Sequence, residues 1–417
     1  MKTIKINYRE VIFILFSVIC GISKFYPFNV ESYFTYTLAV IWILYSYSVR
    51  CSKENIVTAK FHQKLFINPI ICMFIYTFCM WIIKKPNGSG TVLDYYTRLL
   101  SNSLFLIITS LFICRAYVLF GRKTLELLWI SMILSYSVLG ILRAVVHCGV
   151  LTVFKSVFLL QDILEVNNYL EVHDLTFALG FFLLFYVVFG KMCGIRYLKF
   201  KIVISVLFIF MGYKRIELVS ICMVILFYYI IEKYVKKTNN KYLIFGLVGI
   251  LLCMFFLSFI YNDRLVQIAL KYNINFNYRL DTWAYWTGKT RFNIGFTGLG
   301  VGYVDKETYL LHGINGMINN GHVLLSGMHS DLLKKYIEIG FVPFLIWIYY
   351  ILISKTQKLY KIEGFYTAEV YFLLIIYAII LYLTDNVYSY FLCNCSFILI
   401  PMSMKEYILN SNNRIKK

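Results

Sequence analysis

KYLIFGLVGILLCMFFLSFI, residues 241–260, carries its only charge at its first residue, Lys241. About 20 apolar residues in a helix are what it takes to cross a hydrocarbon core of about 30 Å. Comparable apolar runs, with their flanks, lie at 11–22, 65–83 and 99–120. In a chain of 417 residues that is 60% hydrophobic, with a mean hydropathy of +0.70, this repetition decides the class. The reading is an all-α, polytopic membrane protein and not a soluble core.

Twelve spans are predicted, at about 11–26, 33–49, 65–83, 99–120, 124–146, 172–190, 199–213, 215–231, 241–260, 335–353, 365–384 and 387–404. A net charge of +20 could suggest a nucleic-acid partner, but the basic residues come in short clusters between apolar runs. That is a topology signal. Placing the N-terminus inside puts Arg50, Lys53, Lys60 and Lys64, then Lys191, Arg196, Lys199 and Lys201, then Lys233, Lys236, Lys237 and Lys241 on the inner side. Both termini are then cytoplasmic. The first span lacks a small-residue cleavage site and runs directly into Lys24, Phe25, Tyr26 and Pro27, so it is expected to stay in place.

Eleven cysteines fall almost entirely within spans or at their inner ends, without a C-x-x-C pair. They are expected as packed or lipid-facing thiols, not as a metal or disulfide framework. Neither a Walker A loop nor a strand-linked G-x-G-x-x-G is present, which removes support for ATP-driven chemistry. No internal repeat is visible, which weighs against an inverted-repeat transporter.

The chain reads as one transmembrane domain, 1–417, with one long non-apolar segment at 261–334 between spans nine and ten. On this topology the segment is extracytoplasmic, and a loop of that length in a membrane protein is usually functional. Residues 148–171 are expected as an outer interfacial helix, with Phe154, Val157, Phe158, Ile163 and Leu164 available for one face. Between Lys201 and Glu232 two crossings must share the available residues, about fifteen each. At 1.5 Å per residue each would reach roughly 22 Å, so the tip GYKRIE, 212–217, would sink Lys214, Arg215 and Glu217 to membrane depth.

Four outward features need a common explanation. They are Lys214 and Arg215 at the tip, Arg279 in NYRLDTWAYW (277–286), the glycine series GFTGLGVGYV (295–304), and GMHSDLLKKYIEIG (327–340) with His329. Together they suit a phosphate-bearing lipid donor. Arginine presents a planar fork to diphosphate oxygens and keeps its charge. Gly298, Gly300 and Gly302 would let backbone amides approach an anion or a sugar, although such runs are often plain turns. Ser330 fits an N-cap and Asp331 a first-turn position, which sets His329 just outside a helix N-terminus, where a neutral imidazole is favoured. Such a group can take a proton from a sugar hydroxyl, and it can equally be a structural histidine. Asp331–Lys335 and Lys334–Glu338 are spaced as i,i+4 helix pairs.

The glycine series and the GMHSDLLKKYIEIGFVPFLIWIYY segment that follows it resemble the C-terminal motif of the O-antigen polymerase and ligase superfamily. That motif has a G-x-G-x-G turn, a loop, His-Asn or His-Ser, a stretch ending in Glu-x-Gly, and a span. Gly298, Gly300, Gly302, His329, Ser330, Glu338 and Gly340 match it here. Arg279 and Trp283 resemble the arginine and tryptophan opening the same region, and Arg215 in KRIELVSICMVIL resembles its earlier basic residue. EVHDLTFALGFF, 171–182, resembles a His-Pro-Asn-x-x-Gly pattern, with Asp174 and Leu175 departing from it.

The resemblance implies an inverting, metal-independent glycosyltransferase of the GT-C type, without a cofactor, on the outer face of the bacterial cytoplasmic membrane. It would join undecaprenyl-pyrophosphate-linked oligosaccharides, alongside a flippase and a chain-length regulator. Arg215 and Arg279, with Lys214, would hold the diphosphate, and His329 would activate the acceptor. Trp283, Trp286 and Tyr303 would stack on sugars. Usage rich in Lys, Ile, Asn and Tyr leans toward capsule or exopolysaccharide over lipopolysaccharide. A ligase shares the topology. A flippase or other transporter would instead line a midplane cavity with charges. A metal-dependent transferase would place paired acids in the first outer loop, where Glu31 stands alone.

Overall fold

The computed structural model describes residues 7–23, 32–49, 52–159, 161, 163–234, 240–274, 276, 278–315, 318–319, 322–323, 325 and 327–415. Lys24 to Pro27, Glu31, Arg50, Lys236 and Lys237, on which parts of the topology reading rest, lie outside the described residues.

The chain is almost wholly helical. In order come α1 (Tyr8–Ile22), α2 (Ser32–Tyr47), α3 (Lys53–Ile83), α4 (Val92–Phe120), α5 (Lys123–Tyr136), α6 (Arg143–Cys148), α7 (Val150–Phe158), α8 (Leu164–Leu170) and α9 (His173–Phe189). Then follow α10 (Leu198–Met211), α11 (Arg215–Tyr234), α12 (Asn240–Tyr261), α13 (Arg264–Lys271), α14 (Arg279–Gly288) and α15 (Tyr303–Asn315). The last five are α16 (Asp331–Ile339), α17 (Phe341–Tyr349), α18 (Lys355–Glu363), α19 (Phe365–Tyr382) and α20 (Phe391–Ile415). π-helical turns at Ser137–Leu142 and Tyr350–Ser354 join α5 to α6 and α17 to α18. Among the described residues the only strands are Ile318–Asn319 and His322–Val323, antiparallel with Ile318 opposite Val323.

Local chemistry accounts for several boundaries. Asn7 and Glu10 cap each other's backbone amides at the start of α1, and Thr91 and Asp94 do the same for α4. Gly121, at φ +55°, ends α4 and turns the chain into α5.

Among the described residues five helical runs are long and apolar enough to cross a membrane: α3, α4, α5 with α6, α12 and α19. α8 and α9, bent by 64° where they meet, make a sixth if they act as one span. The fold is therefore compatible with a multi-pass membrane protein. Of the other expected crossings, α10 has 14 residues, about 21 Å of helix, α16 and α17 are separate nine-residue helices divided at Gly340, and α11 and α20 have 20 and 25 residues.

Apolar residues all round mark the centre of the bundle. α9 and α19 are buried along nearly their whole length, and α20 packs against both. The apolar window of α12 is only 22% buried, which places it at the periphery. Two of the cations expected on the inner side are buried in ion pairs: Lys241 with Glu369 at 2.6 Å, and Lys201 with Glu126 at 2.9 Å.

Three local expectations need correction. The crossings after Lys201 are not equal, since α11 has 20 residues and starts at Arg215, so the tip shrinks to Gly212–Lys214. The segment at 148–171 is two helices, α7 and α8. Its expected face divides, with Val157 buried and Phe154, Phe158 and Leu164 exposed. The 261–334 segment is ordered by α13, α14 and α15 over much of its length.

Candidate functional site

The glycine series forms a clasp on α16. Gly298, Gly300 and Gly302 have φ of +87°, +105° and +84°, a region only glycine enters freely. The amides of Leu299 and Gly300 donate to the Ile337 and Glu338 carbonyls at 2.9 and 2.7 Å. Val301 N donates to Thr77 Oγ1 at 3.1 Å, and Gly302 N to Glu338 Oε1 at 2.8 Å. A Cβ on Gly300 would lie 2.3 Å from the Trp81 ring, whose Nε1 donates to Leu299 O. The anion cradle expected here is corrected on this point. Those amides are already committed inside the protein, and the glycines exist so that α3 and α16 can approach the loop.

α14 sets the position of His329. Trp283 is 1% exposed, and its Nε1 donates to the carbonyl of Met328 at 2.8 Å. Leu325 N donates to Thr282 Oγ1 at 3.1 Å, so adjacent residues of α14 hold the strand of chain leading to the histidine. Beyond it, Ser330 Oγ accepts Leu333 N as the N-cap and donates to Tyr382 O at 3.2 Å. Asp331 Oδ2 accepts Tyr388 N at 2.6 Å, and Asp331 N donates to Asp385 O at 3.1 Å. Burial pushes the Asp331 carboxyl up to about 7. Lys334 does not pair with Glu338 as the spacing suggests. It reaches Asp305 on α15 at 2.6 Å, while Glu338 Oε1 accepts the Gly302 amide.

Around His329 the chain gathers groups from four helix starts. His173 opens α9, Lys214 precedes α11, Arg279 opens α14, and His329 lies two residues before α16. Arg279, Lys214 and Asp385 are the charged groups that act on the His329 imidazole, while Lys214, Asp385, Glu171 and His329 act on His173. Lys214 Nζ is 2.6 Å from Glu171 Oε1, and His173 Nε2 is 3.9 Å from the same oxygen. Asp385 is 2% exposed and accepts from Asn386 N at 2.8 Å and from the Tyr390 hydroxyl at 3.3 Å. The Nδ1 atoms of both histidines are buried without a hydrogen-bond partner among the described residues. Burial chiefly, with Arg279 and Lys214, lowers the His329 pKa below its ordinary value against the opposing pull of Asp385.

Three of the six left-handed non-glycine residues among the described ones lie at the same place, the others being Tyr197, Asp263 and Asn273. His329 has φ +47°, Tyr213 beside Lys214 has +53°, and Tyr278 beside Arg279 has +60°. Left-handed backbone in bulky residues costs of order 1–3 kcal/mol each and persists where a site requires it. Convergent helix N-termini with two cations suit an anion, and an unprotonated imidazole beside them suits proton abstraction.

Of the residues singled out from the sequence, His329, Arg279 and Lys214 come together. Arg215 is exposed and has no ion pair among the described residues. Trp283, Trp286 and Tyr303 offer no open ring face for a sugar: all are buried, and Tyr303 stacks on Tyr95 at 4.9 Å while its hydroxyl donates to Asn87 O. Asp385, Glu171 and His173 were missed as site residues. Asp385 had a signal, as an acid in the short outer turn before the last expected span. No family model matches this chain, and no curated protein matches it.

Proposed function

We propose that the protein is a polysaccharide polymerase that joins undecaprenyl-pyrophosphate-linked oligosaccharide repeat units on the outer face of the bacterial cytoplasmic membrane. The observation that carries this reading is the convergence of Arg279 and Lys214 on His329 where four helices begin. In this role Arg279 and Lys214 hold the diphosphate of the donor. His329 takes the proton of the acceptor hydroxyl as its oxygen bonds to the anomeric carbon. The bond to the pyrophosphate oxygen breaks on the opposite side, so the configuration inverts, and the two cations stabilise the departing charge. The step needs neither metal nor cofactor.

The rest of the reading follows the same lines. The helices α1, α2, α10, α11 and α20 and the α16–α17 pair join the apolar ones in a twelve-span, GT-C-like bundle with both termini cytoplasmic. Capsule, exopolysaccharide or O-antigen is the product, and a flippase and chain-length regulator are the working partners. The decisive experiment gives purified protein a defined undecaprenyl-pyrophosphate repeat unit. A product ladder supports the polymerase. Product formed only with a second acceptor points to a ligase, and no product in either case returns the question to transport.

A further inference from the structure

Lys355, the first residue of α18, is 7% exposed and is not one of the groups of the outer cluster. Its Nζ stands over three aromatic rings: Tyr371 at 4.7 Å, Phe397 at 5.3 Å and Phe66 at 5.7 Å from the ring centres. It makes no ion pair or hydrogen bond among the described residues. Ring faces attract a cation, but three of them do not replace the hydration an ammonium loses on burial. An uncompensated charge inside a helical bundle calls for a partner.

A cavity is available for that partner. Lys355 lines a partly open pocket of about 40 Å³ together with Tyr382, Tyr388 and Asn394. A water-sized occupant needs roughly 10–15 Å³ of such space, so one small ion with a water fits. The Tyr382 and Tyr388 hydroxyls make no hydrogen bonds among the described residues. The Asn394 amide group is spent on Tyr388 O and Tyr390 O. The cavity therefore offers an ammonium and two uncommitted O–H donors. Tyr388, which lines it, donates its backbone N to Asp331 Oδ2 and has Lys335 over its ring at 4.3 Å. The uncommitted polar groups are one ammonium and two O–H donors in an otherwise apolar and aromatic wall, which favours an anion over a cation. The π-helical turn at Tyr350–Ser354, immediately before Lys355, is the kind of helix irregularity that often marks a functional site.

We propose that this cavity binds a small monovalent anion, of the size of chloride, on Lys355. The site is separate from the outer cluster, and it stands whether or not that cluster transfers sugar. Purified protein in detergent is to be unfolded thermally while chloride replaces gluconate at constant ionic strength. The midpoint is expected to rise by about 2 °C or more between ~1 and ~200 mM chloride, because an ion that binds only the folded state stabilises it. Lys355→Met should lose that dependence. Should that variant fail to accumulate, the Tyr382→Phe, Tyr388→Phe double variant should need about tenfold more chloride for the same rise. A midpoint indifferent to chloride in the unaltered protein overturns the proposal, as does a full chloride response in Lys355→Met or an unchanged one in the tyrosine double variant.

Discussion

Glu338 Oε1 accepts the amide of Gly302 at 2.8 Å, tying together two positions thirty-six residues apart. Both groups are buried, and Lys335 Nζ lies 3.9 Å from the other carboxylate oxygen. Removing the acceptor leaves a buried amide unsatisfied. Glu338→Ala is expected to cost about 1–3 kcal/mol of stability. Glu338→Gln, which keeps a carbonyl oxygen in place, should cost less. Thermal unfolding in detergent compares the two, and equal midpoints for both variants would show that the bond is dispensable.

Gly300 tests the clasp from its other side. With φ +105° and the Trp81 ring 2.3 Å from any added Cβ, Gly300→Ala combines backbone strain with a clash. The variant should accumulate poorly and lose the Trp81 Nε1 bond to Leu299 O. Gly288→Ala is the control, since nothing lies within 4 Å of its added Cβ, and its level should match the unaltered protein. Membrane-fraction immunoblots read both.

The same clasp marks how far the sequence could be read. Hydropathy revealed the class because apolar length is a local property, plain in residues 241–260. The match of Gly298, Gly300 and Gly302 with Glu338 and Gly340 marked two stretches that do meet in space. What it did not reveal was direction: amides that read as free for a ligand are turned inward, onto Ile337, Glu338 and Thr77. Trp283 misled for the same reason. A tryptophan beside an arginine is the same string of letters whether its ring faces a sugar or donates to Met328 O. Asp385 and His329 come from different expected outer segments, the turn before the last span and the end of 261–334, so their proximity was invisible until the helices were packed.

Lys334 and Asp305 form a largely buried pair at 2.6 Å, with Arg98 3.7 Å from the same carboxylate. Although burial opposes it, Lys334 and Arg98 hold the Asp305 pKa below its ordinary value. Asp305→Asn strands the lysine and should cost about 3 kcal/mol. Lys334→Met added to it should recover much of that loss, because an apolar side chain needs no counter-charge. A double-mutant cycle on unfolding midpoints measures the coupling. Additive losses would mean the two groups act independently.

The lowered pKa of His329 makes a pH prediction with a definite sign. In the proposed reaction the neutral imidazole is the base, so chain growth should rise with pH along an acid limb centred below about 6.5, the ordinary histidine value. Asp385 is the influence that raises this pKa, so Asp385→Asn should move the limb to lower pH. The same group contributes to stability in the matching direction. The unfolded chain takes up the proton first, so stability falls as pH drops below about 6.5 toward the folded value. His329→Gln should keep donor binding and lose turnover. A pH–rate profile of the purified protein tests both statements, and full turnover in His329→Gln would reduce the residue to an anchor for α16.

Lys214 and Arg215 are neighbours with different surroundings, and that difference yields the sharpest test of the anion site. Lys214 acts on both histidines and pairs with Glu171 at 2.6 Å, whereas Arg215 is exposed and has no ion pair among the described residues. A cation that stabilises a departing diphosphate in a partly buried site is typically worth several kcal/mol, roughly 10²–10³ in rate. Arg279→Ala and Lys214→Ala should each cut chain growth by about that factor while single lipid-linked repeats persist. Arg215→Ala should have a much smaller effect, contrary to its place in the sequence resemblance, where it is the basic residue that matches. Polymer length on a gel, at equal protein levels, separates the two outcomes. Loss of chain growth in Arg215→Ala with full activity in Lys214→Ala would mean that the diphosphate approaches α11 from its exposed side and not through the cluster around His329.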